Sequence, residues 1–142
     1  MNTIRMITGS DIPEVLQEIP KAPQKLFIVG ELPDVHTHTY LTVVGTRKPT
    51  TYGKDVCEKL IKSLSGLPVV IVSGLAFGID SIAHKAALEA GLKTVAVPGS
   101  GLDEKNLYPR THVRLANEIV EHGGCLLSEF ENNQAAAPWT FP

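Results

Sequence analysis

Three short segments of the sequence gather residue types able to hold an anion. Gly45-Thr46-Arg47-Lys48-Pro49-Thr50-Thr51-Tyr52-Gly53 sets two adjacent cations and three threonine hydroxyls between an apolar run and a helical pattern. Backbone N–H groups at a helix start, hydroxyls and a guanidinium fork together suit a phosphate diester. Ser73-Gly74-Leu75-Ala76-Phe77-Gly78-Ile79-Asp80 places glycines on either side of a second helix start, where backbone can approach a ligand closely. The third segment, running from Pro98 through Gly99, Gly101, Asp103 and Tyr108 to Arg110, is long for a strand-to-helix connection, and long ordered loops often carry function. Tyr108 is suited to stacking on a base.

Other polar groups read as structural. Asp80 falls in the first turn of a helix, where a carboxylate is favoured electrostatically. His84, one turn further on, has no nucleophile or second ligand in sight and reads as a packed or surface histidine. His36 and His38 form a lone pair in a polar loop, so no metal site is expected. Ser128 and Glu129 end an apolar run and read as caps for neighbouring backbone groups. Neither G-x-G-x-x-G nor G-x-x-x-x-G-K-[ST] nor G-x-S-x-G is present, and Ser73 stands where a ribose-binding acid would be expected. No cofactor is expected.

The elements that position these loops follow from hydrophobic periodicity. Short β-rich runs occur at 26–30 (LFIVG) and 40–45 (YLTVVG), the second reading as a buried strand. Val56, Cys57, Leu60, Ile61 and Leu64 then lie on one helical stripe ending at Gly66. VVIVSG at 69–74, a helix over 78–91, TVAV at 94–97, a helix with Val113, Ala116, Ile119 and Val120 inward, and CLLS at 125–128 repeat the alternation. Apolar strands alternating with helices imply a Rossmann-like, doubly wound α/β fold with a mainly parallel sheet. In such sheets the loops after the carboxyl ends of the strands share one edge, where ligands bind. Residues 1–25, broken by Pro13, Pro20 and Pro23, read as an N-terminal arm with at most a short turn around 12–18, leaving 26–142 as the domain. The closing EFENNQAAAPWTFP reads as loop or tail.

Composition limits the alternatives. A chain of 142 residues, 43% hydrophobic, suits one core. The net charge of −2 gives no global field towards nucleic acid, so anion binding must be local. No apolar run approaches the roughly 20 residues of a membrane span, and the N-terminus lacks the apolar core of a signal peptide, so a cytoplasmic location is expected. Cys57 and Cys125 are far apart and read as small buried hydrophobes.

Gly45-Thr46-Arg47 with Tyr52-Gly53, Ser73-Gly74-Leu75-Ala76-x-Gly78-Ile79-Asp80-x-x-Ala83-His84, and Gly99-x-Gly101-Leu102-Asp103 with Tyr108-Pro109 closely resemble the DNA-processing protein A (DprA/Smf) family. The resemblance runs from about Ile19 through LLSEF at 126–130 to PWTFP. It implies a protein that binds single-stranded DNA, protects it and helps load the RecA recombinase during natural transformation and recombination, without covalent chemistry, as a homodimer. By that likeness Arg47 is the principal phosphate contact, with Tyr52, Lys48, Ser73, Gly74 and Gly78 completing the groove, and Gly45, Thr46, Gly99, Gly101 and Tyr108 beside them.

Relatives continue past Phe141-Pro142 with a basic Arg-Asn-Arg segment and further strands. The sequence is therefore expected to form a partial domain that leaves a strand unpartnered after CLLS and binds DNA weakly alone. Two other readings compete. Pro98-Gly99-Ser100-Gly101-Leu102-Asp103-Glu104 faintly echoes the loop of lysine-decarboxylase-like phosphoribohydrolases, with Glu104 as the acid or base. The same loops would also serve a free-nucleotide-binding module.

Overall fold

In a computed structural model, residues 3–142 are described, and they form one six-stranded sheet with helices. The strands are β1 (Ile4–Thr8), β2 (Lys25–Gly30), β3 (Thr39–Thr42), β4 (Val69–Ser73), β5 (Lys93–Ala96) and β6 (Cys125–Ser128). The helices are α1 (Glu14–Gln17), α2 (Thr51–Lys62), α3 (Ile79–Glu89) and α4 (Val113–Glu121). The sheet order is β1-β2-β6-β5-β4-β3. β3 to β6 are mutually parallel, whereas β2 pairs antiparallel with both β6 and β1. The expected α/β, Rossmann-like architecture is present.

Alternate residues of each strand serve opposite faces, as the pleat requires. Phe27, Val29, Ile71, Ala96 and Leu126 point towards the helices, packing with Leu115 and Ile119 of α4 or Ala83 and Ile61 of α3 and α2. Leu26, Ile28, Val70, Val95, Cys125 and Leu127 form the opposite core with Ile12, Leu16, Leu32 and Tyr40. The three crossover helices thus cover one face, and α1 with the 31–40 loop covers the other. Both cysteines are free and buried, and burial pushes the Cys125 thiol up to about 12, with the Glu31 charge adding to the shift.

Three local expectations change. The stretch read as an N-terminal arm supplies β1, held in register by Ile4 opposite Val29 and Thr8 opposite Lys25. In IRMIT only Ile4 and Ile7 are partly buried, packing against the two opposite cores, while Arg5, Met6 and Thr8 are exposed, as suits an edge strand. The 40–45 run is not a buried strand: β3 pairs only with β4, so Leu41 is 43% and Val44 75% exposed. CLLS is not the unpartnered strand either, because β6 lies between β5 and β2 and all four of its residues are buried. β3 forms the sheet edge opposite β1, and beside it Leu60 of α2, expected inward, is 64% exposed.

Candidate nucleic-acid interface

The carboxyl ends of the four parallel strands open onto a cavity of about 710 Å³. Gly45 and Arg47 line it from the loop after β3, Gly74, Ala76 and Asp80 from the loop and helix after β4, and Gly99 from the loop after β5. Glu129, Phe130, Trp139 and Phe141 close it from beyond β6.

The first two loops interlock. Thr50 caps α2, its hydroxyl accepting from the Gly53 N–H at 3.0 Å, which starts the helix immediately after the loop. The Ile79 N–H donates to the Thr46 carbonyl at 3.0 Å, and the Lys48 N–H to the Thr46 hydroxyl at 3.1 Å. Gly78 lies directly beneath, with φ +80°, and a Cβ there would overlap the Thr46 carbonyl and the Arg47 backbone. Gly45 faces Ile79 so closely that a Cβ would come within 2.6 Å of it. These glycines let two backbones touch and push Thr46 and Arg47 outward.

Arg47 is exposed, and its guanidinium carbon lies 5.2 Å from the centre of the Phe141 ring. A guanidinium on an aromatic face keeps its edge donors available. Among the described residues Arg47 joins no ion pair, and the Thr46 and Arg47 N–H groups find no acceptor within the protein. Lys48 and Tyr52 are exposed beside the cavity rather than lining it, with Tyr52 78% exposed on the first turn of α2.

The second loop uses its donors internally. The buried Ser73 hydroxyl donates to the Val43 carbonyl at 2.7 Å, tying β4 to β3. The Gly74 N–H donates to Asp80 Oδ2 at 3.1 Å, so the first-turn carboxylate also braces the turn before its own helix. Ser73 and Gly74 therefore shape the cavity without offering these groups to a ligand. His84 is fully buried; desolvation, with the charge of His112, lowers its pKa to about 3.

The third loop folds into the core. Leu102 and Leu107 are buried, and the Gly101 N–H donates to the Gln134 carbonyl at 2.8 Å. A Cβ on Gly101 would overlap the Glu131 carbonyl, which makes this glycine a packing residue and corrects its assignment to the interface. Gly99 lies against the Phe141 ring. Tyr108 is half-buried, packing edge-on against Phe77 and Phe141, so its ring is already engaged.

The segment read as tail completes the cavity. The Thr140 hydroxyl donates to the Gly99 carbonyl at 2.7 Å and pins PWTFP across the sheet edge. That places Phe141 under Arg47 and leaves Trp139 68% exposed, edge-on to Phe130 at 5.9 Å. Trp139, Phe141 and Glu129 were not singled out from sequence as ligand-facing; the available signal was the aromatic and proline density of PWTFP.

Glu104 lies apart from this cavity. It accepts from Asn117 Nδ2 at 3.3 Å and lines a separate 210 Å³ cavity with Leu102, Val29 and Leu126. Among the described residues no three His, Cys, Asp or Glu side chains gather to hold a metal, and no helix is long and apolar enough to cross a membrane.

A sheet of this order, with crossover helices joining its parallel strands, defines a Rossmann-like domain, here with an exposed arginine at its carboxyl edge. The chain belongs to the DNA recombination-mediator protein A family, whose pattern it matches over residues 3–142. It is 42% identical over 120 residues to protein Smf of Escherichia coli K12, covering 84% of this chain and 31% of that protein. It is 37% identical over its whole length to DNA processing protein DprA of Bacillus subtilis 168, covering 46% of that protein. Among solved structures, DprA of Streptococcus pneumoniae superposes with TM-score 0.85 at 37% identity, over 98% of this chain and 48% of that one. A Helicobacter pylori DprA structure, described for its single-stranded DNA binding mode, superposes with TM-score 0.82 at 31% identity, over 96% of this chain and 61% of that one. The chain spans less than half the length of these curated relatives.

Proposed function

We propose that this domain binds single-stranded DNA by its phosphates at the carboxyl edge of the sheet. The observation that carries the reading is Arg47: an exposed guanidinium with no carboxylate partner among the described residues, held outward by Gly78 and backed by Phe141. Arg47 takes a phosphate through paired N–H donors, the Thr46 and Arg47 amides add to the cradle, and Lys48 supplies a second charge. Trp139 and Tyr52 offer exposed ring faces for unpaired bases, a contact that a duplex denies. The single-strand binding described for the Helicobacter pylori relative supports the choice of ligand.

In this reading the protein is a mediator and not an enzyme, working in the cytoplasm by holding a strand for the RecA recombinase, with the homodimer as its assembled form. Glu104, bonded to Asn117 in another cavity, is poorly placed for the hydrolase alternative. The test is a fluorescence-anisotropy titration of labelled oligonucleotide, single-stranded and duplex, at two salt concentrations. The expected outcome is preference for the single strand and an affinity that falls with salt, by about 0.7 logarithmic units per decade for each phosphate held. Preference for duplex, or salt-independent binding, argues against it; binding of a free nucleotide alone favours the nucleotide module.

A further inference from the structure

Leu75 is one of two described non-glycine residues with positive φ, at +63°, and its side chain is fully buried. That backbone region is disfavoured for leucine and persists only where the surroundings enforce it. Here both backbone groups of Leu75 are gripped by histidines. Its N–H donates to His84 Nε2 at 3.3 Å, and its carbonyl accepts from His112 Nδ1 at 2.7 Å.

The hydrogen-bond directions fix the tautomer of His84. The Thr94 hydroxyl donates to the Ile71 carbonyl at 2.7 Å, so its oxygen receives the proton of His84 Nδ1, also at 2.7 Å. Nε2 is then bare and accepts from Leu75. A neutral imidazole alone presents a donor and an acceptor at this separation in opposite directions. Neighbouring Ala83, Ala86 and Ala87 are apolar, so each polar ring atom buried here must be bonded.

We infer that His84 is a positioning residue for the phosphate contact, acting through Leu75 on Arg47; this rests on the DNA-binding reading above. Fixing Leu75 fixes the turn from Gly74 to Gly78. Gly78 forms the seat of Thr46 and Arg47, and the Ile79 N–H bonds the Thr46 carbonyl. Strand β4, helix α3 and strand β5 are thereby joined to the first loop by hydrogen bonds and one close backbone contact, although His84 lines no part of the cavity.

The experiment uses the full chain. Wild type, His84→Leu and Thr94→Val, each with and without Arg47→Ala, are titrated with single-stranded oligonucleotide at two salt concentrations, alongside thermal melts. His84→Leu is expected to bind about tenfold more weakly while folded, with a salt slope shallower by about 0.7, and Arg47→Ala should add little in that background. Thr94→Val keeps the ring, is the gentler change, and should shift affinity in the same direction by less. Long-range proton–nitrogen NMR of wild type should show His84 protonated on Nδ1.

If Arg47→Ala costs the same factor in both variants as in wild type, or if melting falls while affinity holds, His84 is only a core residue and the proposal fails. A proton on Nε2 overturns it independently of any DNA measurement. A wild-type chain that binds no single strand overturns the DNA reading together with this role, whereas binding with additive losses overturns this role alone.

Discussion

The loops after β3 and β5 look alike in sequence and behave oppositely in the fold. Both are glycine-rich, both carry basic residues, and both leave the carboxyl edge of the same sheet. In the first, glycine packing pushes Thr46 and Arg47 out into solvent; in the third, Gly101 lets the chain pass beneath the Glu131 carbonyl and sink Leu102 and Leu107 into the core. Close packing at a glycine leaves exposed residues beside it in one place and buried ones in another.

The largest effect that separates the two loops is expected from Gly101→Val. Overlap with the Glu131 carbonyl cannot be relieved by a side chain moving, so destabilisation on the order of 3 kcal/mol is expected, read as a lower melting temperature. A normal melt with lost DNA binding would return Gly101 to the interface.

Arg47→Ala should do the reverse: leave the melt nearly unchanged and weaken single-strand binding by about 1–3 kcal/mol, with Lys48→Ala costing less. Equal affinities of wild type and Arg47→Ala in the anisotropy titration would remove the arginine from the interface.

A graded effect concerns the middle loop. His84 is held neutral with a folded pKa of about 3, against about 6.5 unfolded, so the unfolded chain binds the extra proton between those values. This contribution to stability is complete above pH 6.5 and declines as pH falls towards 3, by at most about 1.4 kcal/mol per pH unit. Denaturant titrations at pH 7 and pH 5 should differ in this direction, and His84→Gln should flatten the difference.

The strand and helix alternation from Thr39 to Ser128 was legible because periodicity is local: each apolar run or stripe announces its own element. Pairing is not local. Nothing in LFIVG or CLLS says that β2 meets β6 antiparallel, and without that pairing β6 could not be placed inside the sheet or β3 at its edge. IRMIT looked like an arm because only Ile4 and Ile7 are partly buried, on opposite faces of an edge strand, which leaves no period-2 signal to read. The exposed position of Arg47 at the carboxyl edge was legible because it falls between an apolar run and a helical pattern. Gly101 misled because packing and ligand approach favour the same residue. PWTFP gave no role by itself, since its meaning lies in the bond from Thr140 to Gly99, 41 residues away.

The open flank of β3 has a geometric corollary for the groove. Any strand added there in the parallel sense would run in the direction of β3 and end where β3 ends, delivering whatever follows it to the side of Arg47. The edge thus acts as an aiming device: extending the sheet by one strand and widening the proposed DNA-binding surface by one loop become the same event.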